Sequence, residues 1–198
     1  MENPPPLRNI RKMQSVNDGT RTLFESVMAP EVIQALKDWT KAGAAEHAVL
    51  IGGLAMSFYG KPRYTQDIDF LLLSDGEIRE TVPGFKRSRA HAFEHRKTGV
   101  EVEIVTADHV STPAAVIQAV IASSRIVDGI RVASPSGIVA TKLFRFSRQD
   151  QADIEVLVTT NDIDLSSFSI PQDRIAKYLA LVQEIDDAKT AAPPADDP

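Results

Sequence analysis

The sequence predicts an α/β (α+β) domain built on a mixed sheet, with helices largely on one side. Three observations carry this. Short apolar runs recur between turn residues, as at Ala48–Ile51 and Asp67–Leu73. Helix starts are marked by proline, at Pro30, Pro113, Pro135 and Pro171. Two-residue turn signals separate alternating segments, as at Asp128-Gly129.

In chain order, Pro30 opens a helix in which Val32, Ile33, Leu36 and Trp39 recur at helical spacing and Gly43 suits the end. Ala48–Ile51 reads as a strand, followed by a short helix from Gly53 to Tyr59. Asp67–Leu73 is the next strand, and 74–84 carries turn residues with room for one helical turn. Ala92–Arg96 and Val100–Thr106 alternate around Lys97-Thr98-Gly99 as a hairpin. Thr112-Pro113 places a cap and a proline ahead of a helix with Val116, Ile117, Val120 and Ile121 on its apolar face. Arg125–Val127 and Ile130–Ala133 form a second hairpin, and Ser134-Pro135 starts a helix running through Phe146. Another helix covers about 150–160, and Pro171 opens the last, with Ile175, Tyr178, Leu179, Val182 and Ile185 on one face.

At 198 residues the chain is one domain with a small appendage. The expected division is a disordered segment over 1–18, the main domain over 19–165, a helical appendage over 166–189 and a disordered tail over 190–198. An apolar fraction of 43% and a charged fraction of 25% are ordinary for a soluble globular protein. The net charge of −5 argues against nonspecific coating of nucleic acid but leaves room for a local basic groove. Cysteine is absent, which excludes disulfides and thiolate metal sites. Four scattered histidines lack metal-ligand spacing, so a His-based zinc site is not expected. No run approaches the ~18 apolar residues of a membrane span, and the N-terminus has no secretory h-region; the expectation is a cytoplasmic protein.

The chemistry concentrates between Val49 and Leu73. Asp67 and Asp69 are two apart on one strand and face the same way. Two carboxylates on an otherwise apolar strand are costly unless a cation joins them, and paired oxygen donors suit Mg²⁺. Upstream, Gly52-Gly53 lies where a strand feeds a helix, a place where a phosphate needs close backbone approach. A tight turn alone would also explain the glycines; the downstream pair favours phosphate.

This pattern, matching at Gly52, Gly53, Ala55, Gly60, Arg63, Thr65, Asp67, Ile68 and Asp69, resembles the DNA polymerase β-like nucleotidyltransferases, in the branch of AbiEii-type toxins and related small nucleotidyltransferases. Weaker similarity extends over roughly residues 45–160. The resemblance implies the polymerase β-like fold, with Mg²⁺ (Mn²⁺ as the alternative) held by Asp67, Asp69 and a third carboxylate. Glu101 and Glu103 share a strand face, and the resemblance places the ligand at Glu103. It also implies catalytic or nucleotide-binding roles for Lys142 and Asp153, with Arg148 in the same element. Lys142 and Asp153 would stand ~16 Å apart on one helix, so they meet only if it breaks, and Ser147–Asp150 supplies capping residues. Arg63 either contacts phosphate or pairs with a carboxylate, and Thr65 bonds its own loop or nucleotide.

The implied activity is NMP transfer from an NTP such as ATP to an acceptor hydroxyl on a tRNA 3′ end or a protein, by the toxin of a bacterial toxin–antitoxin pair with a cognate antitoxin. The alternatives are a small-molecule (antibiotic) nucleotidyltransferase and a catalytically silent binding or regulatory module. The run KRSRAHAFEHRK, with Lys86, Arg87, Arg89, His91, His95, Arg96 and Lys97, either guides an RNA backbone or guards a sheet edge.

Overall fold

The computed structural model describes residues 28–59 and 65–191. Arg63, Gly60 and the expected disordered segment over 1–18 lie outside the described residues, as does most of the 190–198 tail. Among the described residues seven strands form one mixed sheet. They are β1 (Val49–Ile51), β2 (Ile68–Leu72), β3 (Phe85–Arg89), β4 (Ala92–His95), β5 (Glu101–Thr106), β6 (Arg125–Val127) and β7 (Ile130–Val132), in the order β3-β4-β5-β2-β1-β7-β6. Among the described residues six α-helices accompany them: α1 (Pro30–Lys41), α2 (Gly52–Met56), α3 (Ala114–Ala122), α4 (Pro135–Arg145), α5 (Arg148–Thr160) and α6 (Gln172–Ala191). The mixed α/β class expected from the sequence is the observed one.

At the sheet centre β2 runs antiparallel to β1 and parallel to β5. Side chains alternate across a strand, so Ile68, Phe70 and Leu72 face one way and Asp69 and Leu71 the other. On the Phe70 face, α1 delivers Val32, Ala35, Leu36 and Trp39, a helical stripe that is fully buried. The Trp39 ring stacks on Phe70 at 5.9 Å and meets Phe85 and Phe93 edge-on at 4.9 and 5.3 Å. That aromatic cluster anchors β2, β3 and β4 to one helix. The opposite face, carrying Asp69 and Leu71, opens into a cleft walled by α3 and α4.

Local differences from the sequence reading have physical causes. The strand β3 is unexpected, because Lys86, Arg87, Ser88 and Arg89 are all exposed and no alternation marks them. It is one of the two outer strands of the sheet, the other being β6, and its charges blunt an edge open to pairing with another chain. Pro113, rather than Thr112, occupies the cap position of α3, which starts at Ala114. Ser134 caps α4 as expected, its hydroxyl accepting from the Gly137 N–H at 3.1 Å. On α6, Leu179 is exposed and Leu181 packs inward in its place, beside Ile175, Tyr178, Val182 and Ile185. This helix is docked on α4: Arg174 donates to the Leu143 carbonyl at 3.4 Å and lies over the Phe144 ring. Among the described residues no helix is long and apolar enough to cross a membrane.

Candidate active site

The turn after β1 is the first component. Ile51 ends β1 opposite Asp69 in the antiparallel ladder, so the turn stands beside the carboxylate. Gly52 has φ +68°, and a β-carbon added there would fall 1.9 Å from Asp69 Oδ2. A glycine is therefore required twice over, by its left-handed backbone and by the room the carboxylate occupies. Gly53 is buried in the first turn of α2, its carbonyl accepting from the Ser57 hydroxyl at 3.3 Å. Gly52→Ala should cost about 2 kcal/mol, the usual range for a side chain forced into this conformation, and should displace Asp69. Urea unfolding checks the first effect and Mg²⁺-dependent thermal stabilisation the second.

The carboxylates come next. In the parallel β2–β5 ladder Asp69 pairs directly with Glu103, which puts both side chains on the cleft face as neighbours. Strands in register are ~4.8 Å apart, so both groups are within reach of one cation. Asp67 is exposed and lies just ahead of β2. Thr65 Oγ1 donates to the Asp67 carbonyl at 3.3 Å, tying that approach to itself. Glu101 has a different environment. It pairs with the Arg89 guanidinium, beside Glu94 of β4. Of the two glutamates only Glu103 lines the cleft.

The third component depends on a broken helix. Phe146 takes the left-handed conformation, φ 50° and ψ 38°, and ends α4. Ser147 then caps α5 in a reciprocal capping box with Asp150. The chain turns back, and Lys142 and Asp153 meet: Lys142 Nζ donates to Asp153 Oδ2 at 2.6 Å and to Asp150 Oδ1 at 3.2 Å. Arg145 grips Asp150 with two parallel bonds of 2.7 Å. Lys142, Asp150 and Asp153 are 9%, 1% and 4% exposed, whereas the Arg145 side chain is 72% exposed. Asp153 stands behind Lys142 and does not line the cleft; Lys142, Arg145 and Asp150 do. Arg148 is exposed at the start of α5. Sequence reasoning missed Arg145 and Asp150 as members of this group. The Ser147-x-x-Asp150 capping signal was the available clue, since a buried cap carboxylate needs cations nearby.

Burial alone would raise the Asp150 pKa. The Arg145 guanidinium, the Ser147 hydroxyl and N–H and the Lys142 charge outweigh it and hold the carboxyl well below the usual carboxylate range. Arg145 is correspondingly raised, by its bonds to Asp150 and then by the charges of Asp150, Asp153 and Asp69. A depressed folded pKa means that the Asp150 charge adds stability fully above the unfolded value of ~3.9, and that this stability is lost as pH falls through the folded value. Urea midpoints should therefore drop on acidification below about pH 4. Asp150→Asn should flatten that acid limb more than Asp164→Asn, which alters an exposed carboxylate.

These parts line a cleft of about 500 Å³. Asp69 and Glu103 form an acidic floor, Lys142 and Arg145 a cationic wall, and Gly52 closes the turn between strand and helix. Asp69 and Glu103 offer oxygen donors only, which suits Mg²⁺ better than a nitrogen-loving metal. Asp67, just ahead of β2, does not line the cleft, and the three carboxylates do not converge as a ready-made ligand set among the described residues. The basic run 86–97 is partly consumed internally. His95 is buried against Asp38 at 3.1 Å and Thr98 at 2.8 Å, and Arg89 is bound to Glu101. Lys86 and Arg96 are exposed on the sheet's flank.

No curated protein matches the chain. A solved structure, the crystal structure of JHP933 from Helicobacter pylori, is similar at 16% identity and a TM-score of 0.44, over 81% of this chain and 78% of that one. Residues 34–98 match the family described as "Nucleotidyl transferase AbiEii toxin, Type IV TA system". The glycine turn and the Asp67–Asp69 pair both fall inside those residues, and the match agrees with the AbiEii-type branch of the nucleotidyltransferases.

Proposed function

We propose that this chain is a nucleotidyltransferase that moves an NMP from an NTP to an acceptor hydroxyl, releasing pyrophosphate, as the toxin of a bacterial type IV toxin–antitoxin pair acting in the cytoplasm. The observation that carries the reading is the cleft itself: Asp69 and Glu103, paired in register, line it together with Lys142 and Arg145. Mg²⁺ held by Asp67, Asp69 and Glu103 would, when bound, supply charge to the triphosphate and lower the pKa of the attacking hydroxyl.

The chain's own residues do the rest. Gly52 leaves the Asp69 carboxylate room to stand at the turn. Lys142 and Arg145 present cationic groups to the triphosphate oxygens, one nearly buried and one at the mouth. Asp150 and Asp153 fix where those cations stand, so they position rather than react. In the sequence Arg63 and Thr65 precede the carboxylates, and both are assigned to nucleotide binding. The acceptor is a tRNA 3′ end or a protein hydroxyl, and the toxin reading adds a cognate antitoxin.

The test is incubation of the full chain with Mg²⁺ and each labelled NTP against total tRNA, lysate protein and the chain itself. Label should appear on one acceptor class with pyrophosphate released, and disappear in Asp69→Asn. No label, together with no joint thermal stabilisation by Mg²⁺ and NTP, would instead make the chain a silent binding module.

A further inference from the structure

A second constellation lies beyond the C-terminal ends of β2 and β5. Asp75 follows β2 in a one-turn 3₁₀ segment, His91 sits in the β3–β4 turn and His109 follows β5. One ligand atom from each lies within 4.8 Å of the others. His109 Nε2 is 2.6 Å and His91 Nε2 3.2 Å from the same oxygen, Asp75 Oδ2. The other oxygen, Oδ1, accepts from the buried Thr106 hydroxyl, and the Asp75 N–H donates to Asp108 at 2.9 Å. The carboxylate is thus oriented from behind, with one oxygen turned to two imidazoles that are 4.2 Å apart. Metal-ligating groups are characteristically held in this way by their outer partners.

We propose that Asp75, His91 and His109 bind one transition-metal ion of the Zn²⁺ type, separate from the Asp67, Asp69 and Glu103 site. Two imidazole nitrogens and one carboxylate oxygen select Zn²⁺, Ni²⁺ or Co²⁺ over Mg²⁺ and Ca²⁺, which take oxygen. Bonds of ~2.0–2.1 Å at tetrahedral angles put ligand atoms about 3.3 Å apart. The His91–Asp75 separation of 3.2 Å already meets this, and His109, 54% exposed, opens outward to reach it. Its exposure leaves the fourth position to water.

The ion would tie together three chain segments. One of them carries His109, which itself lines the cleft, and continues into Val110, Ser111 and Thr112, which line it too. Metal binding would therefore fix one wall of the cleft through His109, using ligands other than Asp67, Asp69 and Glu103. The sequence conceals the site, because its ligands are 16 and 34 positions from Asp75 and come together through the β2–β5 and β4–β5 pairings.

The test uses the metal-free full chain, dialysed against Zn²⁺ in an excess of Mg²⁺, with Co²⁺ as a spectroscopic substitute. The parent and Asp69→Asn should each take up one equivalent and give a visible Co²⁺ band with nitrogen ligation. His91→Asn and His109→Asn should bind at least about 100-fold more weakly, since even outer partners of metal ligands cost up to that factor. A measurement on the parent alone guards against misfolded variants: Zn²⁺ should protect His91 and His109 from acylation while the exposed His47 stays reactive. Sub-stoichiometric uptake, unchanged uptake in the two histidine variants, equal labelling with and without Zn²⁺, or uptake lost only in Asp69→Asn would each overturn the proposal.

Discussion

Asp69→Asn should reduce NMP transfer by about a thousandfold or more, a loss of roughly 4 kcal/mol in transition-state stabilisation. Asparagine keeps the shape and removes the charge that a divalent cation needs. The fold should survive. Asp69 and Glu103 stand side by side in the ladder, and like charges directly opposite are destabilising, so the melting temperature should hold or rise. Glu103→Gln should follow the same pattern, and Asp67→Ala should also lose transfer. Glu101→Gln is the contrast. Its carboxylate is paired with Arg89, a partly exposed bridge worth ~0–1 kcal/mol, and its activity should stay near the parent. Steady-state kinetics with the labelled NTP, alongside melting curves, decide the matter. Full activity in Asp69→Asn would remove the metal assignment. Loss in Glu101→Gln with retention in Glu103→Gln would reverse the assignment of the two glutamates.

The contrast between those glutamates shows what the sequence can and cannot carry. Period-two alternation puts Glu101 and Glu103 on one face and says nothing further. Register separates them, and register is a property of the β2–β5 pair: Asp69 meets Glu103, while Glu101 falls beside β4 and Arg89. The helix break is a case where local signals sufficed. Ser147 and Asp150 are strong capping residues, and the reversal they cause is what lets Lys142 reach Asp153. The glycine turn was found by its residues, but the structure adds a cause invisible in one dimension, because the atom excluding a β-carbon at Gly52 belongs to Asp69 on the neighbouring strand. The edge strand β3 escaped notice because an exposed outer strand has no apolar pattern to display. The Asp75, His91 and His109 group escaped for a related reason, since turns from three separate segments carry no common period.

Lys142 poses the second large effect, on stability as much as on chemistry. A solvated lysine on a helix can be truncated at little cost, typically within ~0.5 kcal/mol. Lys142 is instead 9% exposed and donates to two carboxylates that are themselves buried. Removing its ammonium leaves Asp150 and Asp153 close together with one cation fewer, and Arg145 already engages Asp150. Lys142→Met should therefore lower unfolding stability by about 3–5 kcal/mol, the usual result of taking one partner from a buried pair. Methionine keeps much of the volume, so the loss would report charge rather than a cavity. Lys142→Met combined with Asp153→Leu should recover a large part of it, because an apolar pair can replace a buried ionic one at little net cost. Transfer should follow a different course. If Lys142 meets the triphosphate, the double variant regains stability while NTP affinity and turnover stay at least tenfold down, each tenfold step being about 1.4 kcal/mol. Urea titration and NTP calorimetry on the same three proteins separate the two roles. A double variant that recovers both stability and nucleotide binding would leave Lys142 as a structural cation, with Arg145 at the mouth of the cleft as the group that meets phosphate.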